Sequence, residues 1–367
     1  MTREILQTWI RTVPDADRAA MDAAAKRQAA LAKPPGSLGH LEDISIRLAG
    51  IRGKVCSRCD RTRILVFSAD NGVVAEGVSC APQTVTLSQT VNMTRHKTGM
   101  SAMAKTFGCE LVVTDVGING DVPCSAVKHD KIRFGTGNIA CERAMTEEET
   151  LAAIEIGINR VREAAADGIE AIGIGEMGIG NTTTSAAVLA SLLGASAEAV
   201  TGRGGGLTDT AFAHKKKVLA AALALHTPDP ADPVTVLSCV GGLDLAAMTG
   251  AFLGCALERI PAVVDGYISI VAALCAVRLC PAARDVLFLS HASYEIGYRL
   301  AAEALELKPC LLLDMRLGEG SGCPLMFQVL KAACSVMCDM ATFEEAAIED
   351  DYLDEIRAVD AFTVTKS

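Results

Sequence analysis

The chain has 367 residues, is half hydrophobic, carries 32 glycines, and has aromatic side chains at only 4% of its positions. That length buries one large core with room for a smaller appended domain, and the composition favours helices packed on a sheet over an all-β sandwich. A formal net charge of −10, with no basic cluster beyond Lys215-Lys216-Lys217, excludes a nucleic-acid partner, because phosphate contacts need a positive stripe.

The opening segment MTREILQTWIRTVP is charged within its first residues and lacks an uninterrupted apolar run, so it does not read as a secretory signal. Up to about residue 60 the chain reads as helical and polar, with a break at Lys33-Pro34-Pro35-Gly36. From there apolar runs recur, each closed by a Gly- or Asp-rich turn: Ile64–Ala69, Leu111–Asp115, Ala171–Gly175, Val234–Val240, Pro261–Asp265, Val286–Ser290 and Cys310–Met315. Segments with helical spacing, such as Thr183–Leu193 and Lys216–Leu225, lie between most of them. The alternation predicts a doubly wound, mostly parallel, Rossmann-like sheet. The apolar stretch Leu245–Leu257 is too short to cross a bilayer and reads as a core helix, so a membrane partner is not expected and a cytoplasmic protein is. From about Pro324 the chain is helical again and ends in an acidic tail, EEAAIEDDYLDE. The two terminal stretches fall outside the alternation. The expected division is therefore a small helical domain from residues 1–60 and 324–367, beside an α/β domain over 61–323.

Fourteen cysteines raise a metal or redox role, but only Cys56 and Cys59 form a CxxC, with no second pair at zinc spacing. Cys239, Cys255, Cys275 and Cys310 sit in apolar runs, where a thiol acts as a small hydrophobe. The six histidines (40, 96, 129, 214, 226 and 291) are scattered, and no metal or cofactor is expected.

In a doubly wound sheet the ligand crevice lies beyond the carboxyl ends of the strands. The unusual turns collect there: SADNG, DVGING, GEMGIGN, VGGLD, VDGY, SHAS and MRLGEG. GIGEMG from Gly173 matches a dinucleotide-binding GxGxxG. However, Glu176 stands where a pyrophosphate would approach, and the acidic ribose ligand expected about 20 residues on is missing. A strand-to-helix turn, with Asn181 or Thr182 capping a helix whose amides hold one phosphate, fits better. TGRGGGLTD from Thr201 is either a ligand-approaching loop or a mobile one. In MRLGEGSGCP, Glu319 between two glycines is either an exposed turn carboxylate or a general base whose acidity burial would weaken. Lys215, at the start of an amphipathic helix, is either a solvated side chain or a phosphate anchor. No GxxxxGK[ST] is present, which excludes a P-loop kinase.

Taken together, KPPGSLGHLE (33–42), SADNGVVAEGVS (68–79), NMTRHKTGM (92–100), DVGING (115–120), GTGNIA (135–140), GIGEMGIGNTT (173–183), VGGLDLAAMTG (240–250), VVDGYIS (263–269) and MRLGEGSG (315–322) resemble the nicotinate-nucleotide–dimethylbenzimidazole phosphoribosyltransferase family over nearly the whole chain. The resemblance implies transfer of a phosphoribosyl group from nicotinate mononucleotide to an aromatic base, for assembly of the cobamide lower ligand. Glu319 would be the general base, with Glu176 and Lys215 as further active-site residues. Gln89 and Leu317 would lie at the acceptor. Gly178, Gly180, Asn181, Thr182 and Gly202 would hold the phosphate, with Asp265, Gly266 and Ser290 nearby. It also implies a homodimer, or a heterodimer with a homologue if the acceptor is a phenol; a non-catalytic binding subunit would not need the base. The family usually reads ADHG where this chain has Ala69-Asp70-Asn71-Gly72, so a change of acceptor is expected if Asn71 faces the acceptor pocket.

Overall fold

The computed structural model describes residues 1–354. They form two compact units: Met1–Pro14 with Arg61–Met326, and residues 15–60 with those from Phe327 onward. The last residue of the acidic tail, Glu355, lies outside the described residues.

The first unit is built on six strands, β1 (Thr62–Ala69), β2 (Glu110–Gly117), β3 (Lys128–His129), β4 (Ala171–Met177), β5 (Ala262–Val264) and β6 (Leu287–Leu289). All pairings are parallel and the spatial order is β3-β2-β1-β4-β5-β6. Every residue of β1 and β4 is buried, as expected for central strands covered on both faces. The order reverses between β1 and β4, which is the switch point where a doubly wound sheet opens a crevice.

On one face the helices Glu147–Ala166 and Leu243–Leu257 pack backbone to backbone. A Cβ at Gly157 would strike the carbonyl of Ala247, and one at Gly250 the carbonyl of Ile154, so both positions need glycine for this approach. The first helix, Arg3–Ile10, belongs to this unit, where Arg3 pairs with Glu147 at 2.6 Å and Asp232 at 2.9 Å.

Two expected strands are not strands. Val234–Val240 lies in the helix Pro233–Val240, which starts with proline at its first position and is capped by Asp232 accepting from Thr235 N. The helix is buried all round, which erases the apolar periodicity that would have separated it from a strand. Cys310–Met315 makes only an isolated bridge, from Leu311 to His291.

In the second unit the helices Arg18–Ala30 and His40–Arg52 pack together around Ala24, Ala49 and Met337. The lysine of KPPGSLGHLE, Lys33, is buried and pairs with Glu42 at 2.8 Å, which ties down the break between these helices. Of the CxxC pair, Cys59 is buried and Cys56 is exposed, with its Sγ 3.8 Å from the Met337 carbonyl.

Candidate active site

A cavity of about 240 Å³ opens at the carboxyl ends of β4, β5 and β6. Its wall includes Gln89, Glu176, Gly178, Gly180, Asn181, Thr182, Asp265, Gly266, Leu317 and Glu319. Ten of the residues expected from the sequence are thus brought together there. The other three, Lys215, Gly202 and Ser290, are not on that wall but touch Thr182, Glu295 and His291, which are.

At the end of β4 the chain turns through Gly178 and Gly180 into the helix Asn181–Leu193. Gly178 packs into the switch point, where a Cβ would come within 2.5 Å of the Ala69 carbonyl and 2.7 Å of Asp244 Oδ2. The N-cap is Gly180, at φ +94°, and neither Asn181 nor Thr182 caps the helix as expected. Asn181 instead sends its Nδ2 to Glu176 Oε2 at 2.5 Å and to Asp244 Oδ2 at 2.9 Å. In the first turn of this helix the Asn181 and Thr183 amides donate to the Gly178 and Gly180 carbonyls at 3.1 and 2.9 Å.

Lys215 does not begin a helix; it lies inside Asp209–His226, which Thr208 caps. Lys215 is also buried, and its Nζ donates to Thr182 Oγ1 at 2.8 Å. Burial pushes it down to about 8, against the pull of Glu295. Gly202 rests against the Glu295 carboxylate, leaving no space there for a Cβ.

Glu319 is held in a run of three left-handed residues, Gly318 at φ +84°, Glu319 at +63° and Gly320 at +84°. Such a conformation strains a glutamate and persists only because the surroundings enforce it. The Glu319 amide donates to Glu176 Oε1 at 3.2 Å. Asp265 receives Gly320 N at 3.0 Å on one oxygen and Gly322 N at 2.6 Å on the other. Both oxygens of Asp265 thus serve the loop, rather than a phosphate. Ser290 donates to the Asp265 carbonyl at 3.0 Å and lies 3.0 Å from His291 Nδ1, so it too supports the loop.

Gly175 of β4 packs against Gly320, and a Cβ there would fall 2.6 Å from the Gly320 Cα and N. Gly175→Ala is therefore expected to push Glu319 off its position. Displacements near 1 Å cost about 10²-fold in rate, so turnover of the purified, folded variant checks this.

The Glu319 carboxylate is buried, and Oε2 accepts the Met100 amide at 3.3 Å. Burial raises its pKa, against the Thr98 hydroxyl and the Met100 amide, which favour the anion. Leu317 is 56% exposed at the rim, and Gln89 accepts from Asn92 Nδ2 at 3.1 Å. Burial pushes His291, also on the wall, down to about 4, so the ring is neutral.

Sequence reasoning did not single out Asp244, Glu295, Thr98 or Met100. The first two lie in or near turns that it did mark, VGGLD and SHAS; the last two lie in NMTRHKTGM, marked as a segment but not for these residues, where they start a helix. Asn71 does not face the cavity. It is wholly buried and accepts from Thr184 Oγ1 at 3.2 Å, so it carries no choice of acceptor by contact.

A phosphoribosyltransferase family model matches residues 13–348. The nicotinate-nucleotide–dimethylbenzimidazole phosphoribosyltransferase of Clostridium perfringens (strain ATCC 13124) is 49% identical over 341 residues, which is 93% of this chain and 94% of that protein. The enzyme of the same name from Acetivibrio thermocellus is 44% identical over 340 residues, covering 93% and 97%. A crystal structure of this enzyme from Thermus thermophilus aligns with a TM-score of 0.86 at 40% identity, covering 91% of this chain and 99% of that one. Matches of this length, over a cavity that pairs a glycine-containing strand-to-helix turn with a buried carboxylate, place the chain in the nicotinate-nucleotide–dimethylbenzimidazole phosphoribosyltransferase family.

Proposed function

We propose that this phosphoribosyltransferase takes nicotinate mononucleotide as donor and 5,6-dimethylbenzimidazole or a related base as acceptor, with Glu319 as general base. The observation that carries this reading is the placement of Glu319, buried on the same cavity wall as the Gly178–Thr182 turn. The turn amides and Lys215, acting beside Thr182, would hold the phosphate. Glu319 would take the N–H proton of the acceptor ring as its other nitrogen bonds to ribose C1′. The C1′–nitrogen bond to nicotinate breaks, and its electrons neutralise the positive ring, so departure needs no acid. Displacement at the face opposite nicotinate gives the α-ribotide. Alignment supplies on the order of 7–11 kcal/mol and the base roughly 10²–10⁴-fold.

The names of the relatives favour a benzimidazole over a phenolic acceptor. We also propose a homodimer, supported by the exposed apolar side chains Tyr294, Ile296, Leu312 and Leu313. Fourteen free thiols favour the reducing cytoplasm.

The test incubates the protein with nicotinate mononucleotide and a panel of benzimidazoles, adenine, phenol and p-cresol, with products read by mass spectrometry. A ribotide from a benzimidazole is expected. No ribotide from any acceptor overturns the transfer, and a product only from phenols overturns the acceptor class.

A further inference from the structure

Asp244 lies in the first turn of the helix Leu243–Leu257 and is wholly buried behind the cavity wall. Its Oδ2 shares the Asn181 amide nitrogen with Glu176, and its Oδ1 accepts Leu245 N at 3.0 Å. One amide nitrogen carries two hydrogens, one for each carboxylate. Two buried carboxylates bridged by a single side chain resist ionising together, so one keeps a proton. The helix N-terminus and the Leu245 amide favour the charge on Asp244. Glu176, near the end of a strand, has one backbone amide on it, from Glu319 at 3.2 Å, but no helix N-terminus behind it, and it faces Asp265 as well as Asp244.

We infer that Asp244 is a positioning residue that keeps Glu176 protonated at neutral pH, so that Glu176 offers an O–H donor to an oxygen of the bound mononucleotide. A neutral carboxylic acid serves as a donor where burial and neighbours forbid its ionisation. This inference rests on the reading of the cavity as the transfer site. Burial, then the Asp244 charge, pushes Glu176 up to about 8, while Asp244 is pushed up only to about 6. The other groups that bear on the pair are Asp265, pushed up by burial to about 7, and Asp70, which acts on Asp244. Lys215 is engaged with Thr182 and Glu295. Glu319 meets Glu176 through its backbone amide.

The test is the pH profile of kcat/KM for the mononucleotide in the wild type and in Asp244→Asn, beside infrared spectra of the carboxylic-acid C=O band. In the wild type kcat/KM falls as pH rises through about 8, in two overlapping steps, from Glu176 and Lys215. Removing the Asp244 charge makes Glu176 easier to ionise, so one step moves about one pH unit lower while the other stays. A purely structural defect would lower the whole profile and move neither step. In the wild type the infrared band should have a component that fades through about pH 8, and Glu176→Gln should lack that component while keeping the one from Asp265 that fades near 7. An unshifted profile in a folded Asp244→Asn overturns the inference, as does a wild-type band with no component near pH 8 that Glu176→Gln removes. The wild-type band can be read without turnover, so failure of the transfer itself would be seen separately.

Discussion

Glu319→Gln is expected to lower kcat by about 10²–10⁴-fold while changing KM for nicotinate mononucleotide little, because a general base acts in the transition state and the phosphate is held elsewhere. The pH dependence has a definite sign. Burial raises the Glu319 pKa, and the base must be ionised to accept a proton, so wild-type kcat falls as pH drops through that raised value. The acid limb should disappear in the glutamine variant. Glu319→Gly separates chemistry from folding. Glycine adopts φ +63° without strain, so this variant should keep the loop and lose no thermal stability, yet be as inactive as the glutamine variant. Rates within threefold of wild type in either variant would remove Glu319 from the chemistry. The checks are steady-state kinetics across pH and thermal unfolding.

Lys215→Met is expected to act mainly on KM. A hydrogen bond to a charged group contributes roughly 1.5–3 kcal/mol, so loss of the anchor should raise KM for the mononucleotide about 10–100-fold. Methionine keeps the length and fits the buried channel beside Thr182. The wild-type KM should rise as the lysine loses its proton above about 8, and that step should be absent in the variant. The stability linkage runs the other way. Between about 8 and the ordinary lysine range the unfolded chain holds a proton that the folded one has released, so this group adds stability as pH rises through that window. Titrating KM and the unfolding midpoint against pH in both proteins tests both signs.

The two expectations draw on different parts of the molecule. Glu319 was visible in the sequence as a carboxylate between glycines, and the left-handed run at 318–320 is the physical reason for those glycines. The reason Glu319 sits where it does is spread over the fold: Asp265 after β5 holds Gly320 and Gly322, Glu176 on β4 holds its amide, and Gly175 clears space for the loop. Lys215 read as one of three consecutive lysines, and nothing local marked it as the buried one. Its helix, beginning at Asp209, turns that position inward while Lys216 and Lys217 face other directions.

The sequence by itself determined the α/β class, the parallel sheet and the end of it at which the cavity opens. Strands buried on both faces demand continuous apolar runs, and the turns that follow them demand glycine and small polar residues. Tertiary structure decided the rest. It made Val234–Val240 a helix, because burial on all sides leaves no periodicity to read. That in turn made VGGLD a joint between two helices and put Asp244 in the first turn of the second, bonded to Asn181. It also put Asn71 behind the Gly178 turn instead of on the cavity wall. Each of these depends on hydrogen bonds between residues far apart in the chain. Such partners are chosen by the strand order β3-β2-β1-β4-β5-β6, which no local pattern encodes.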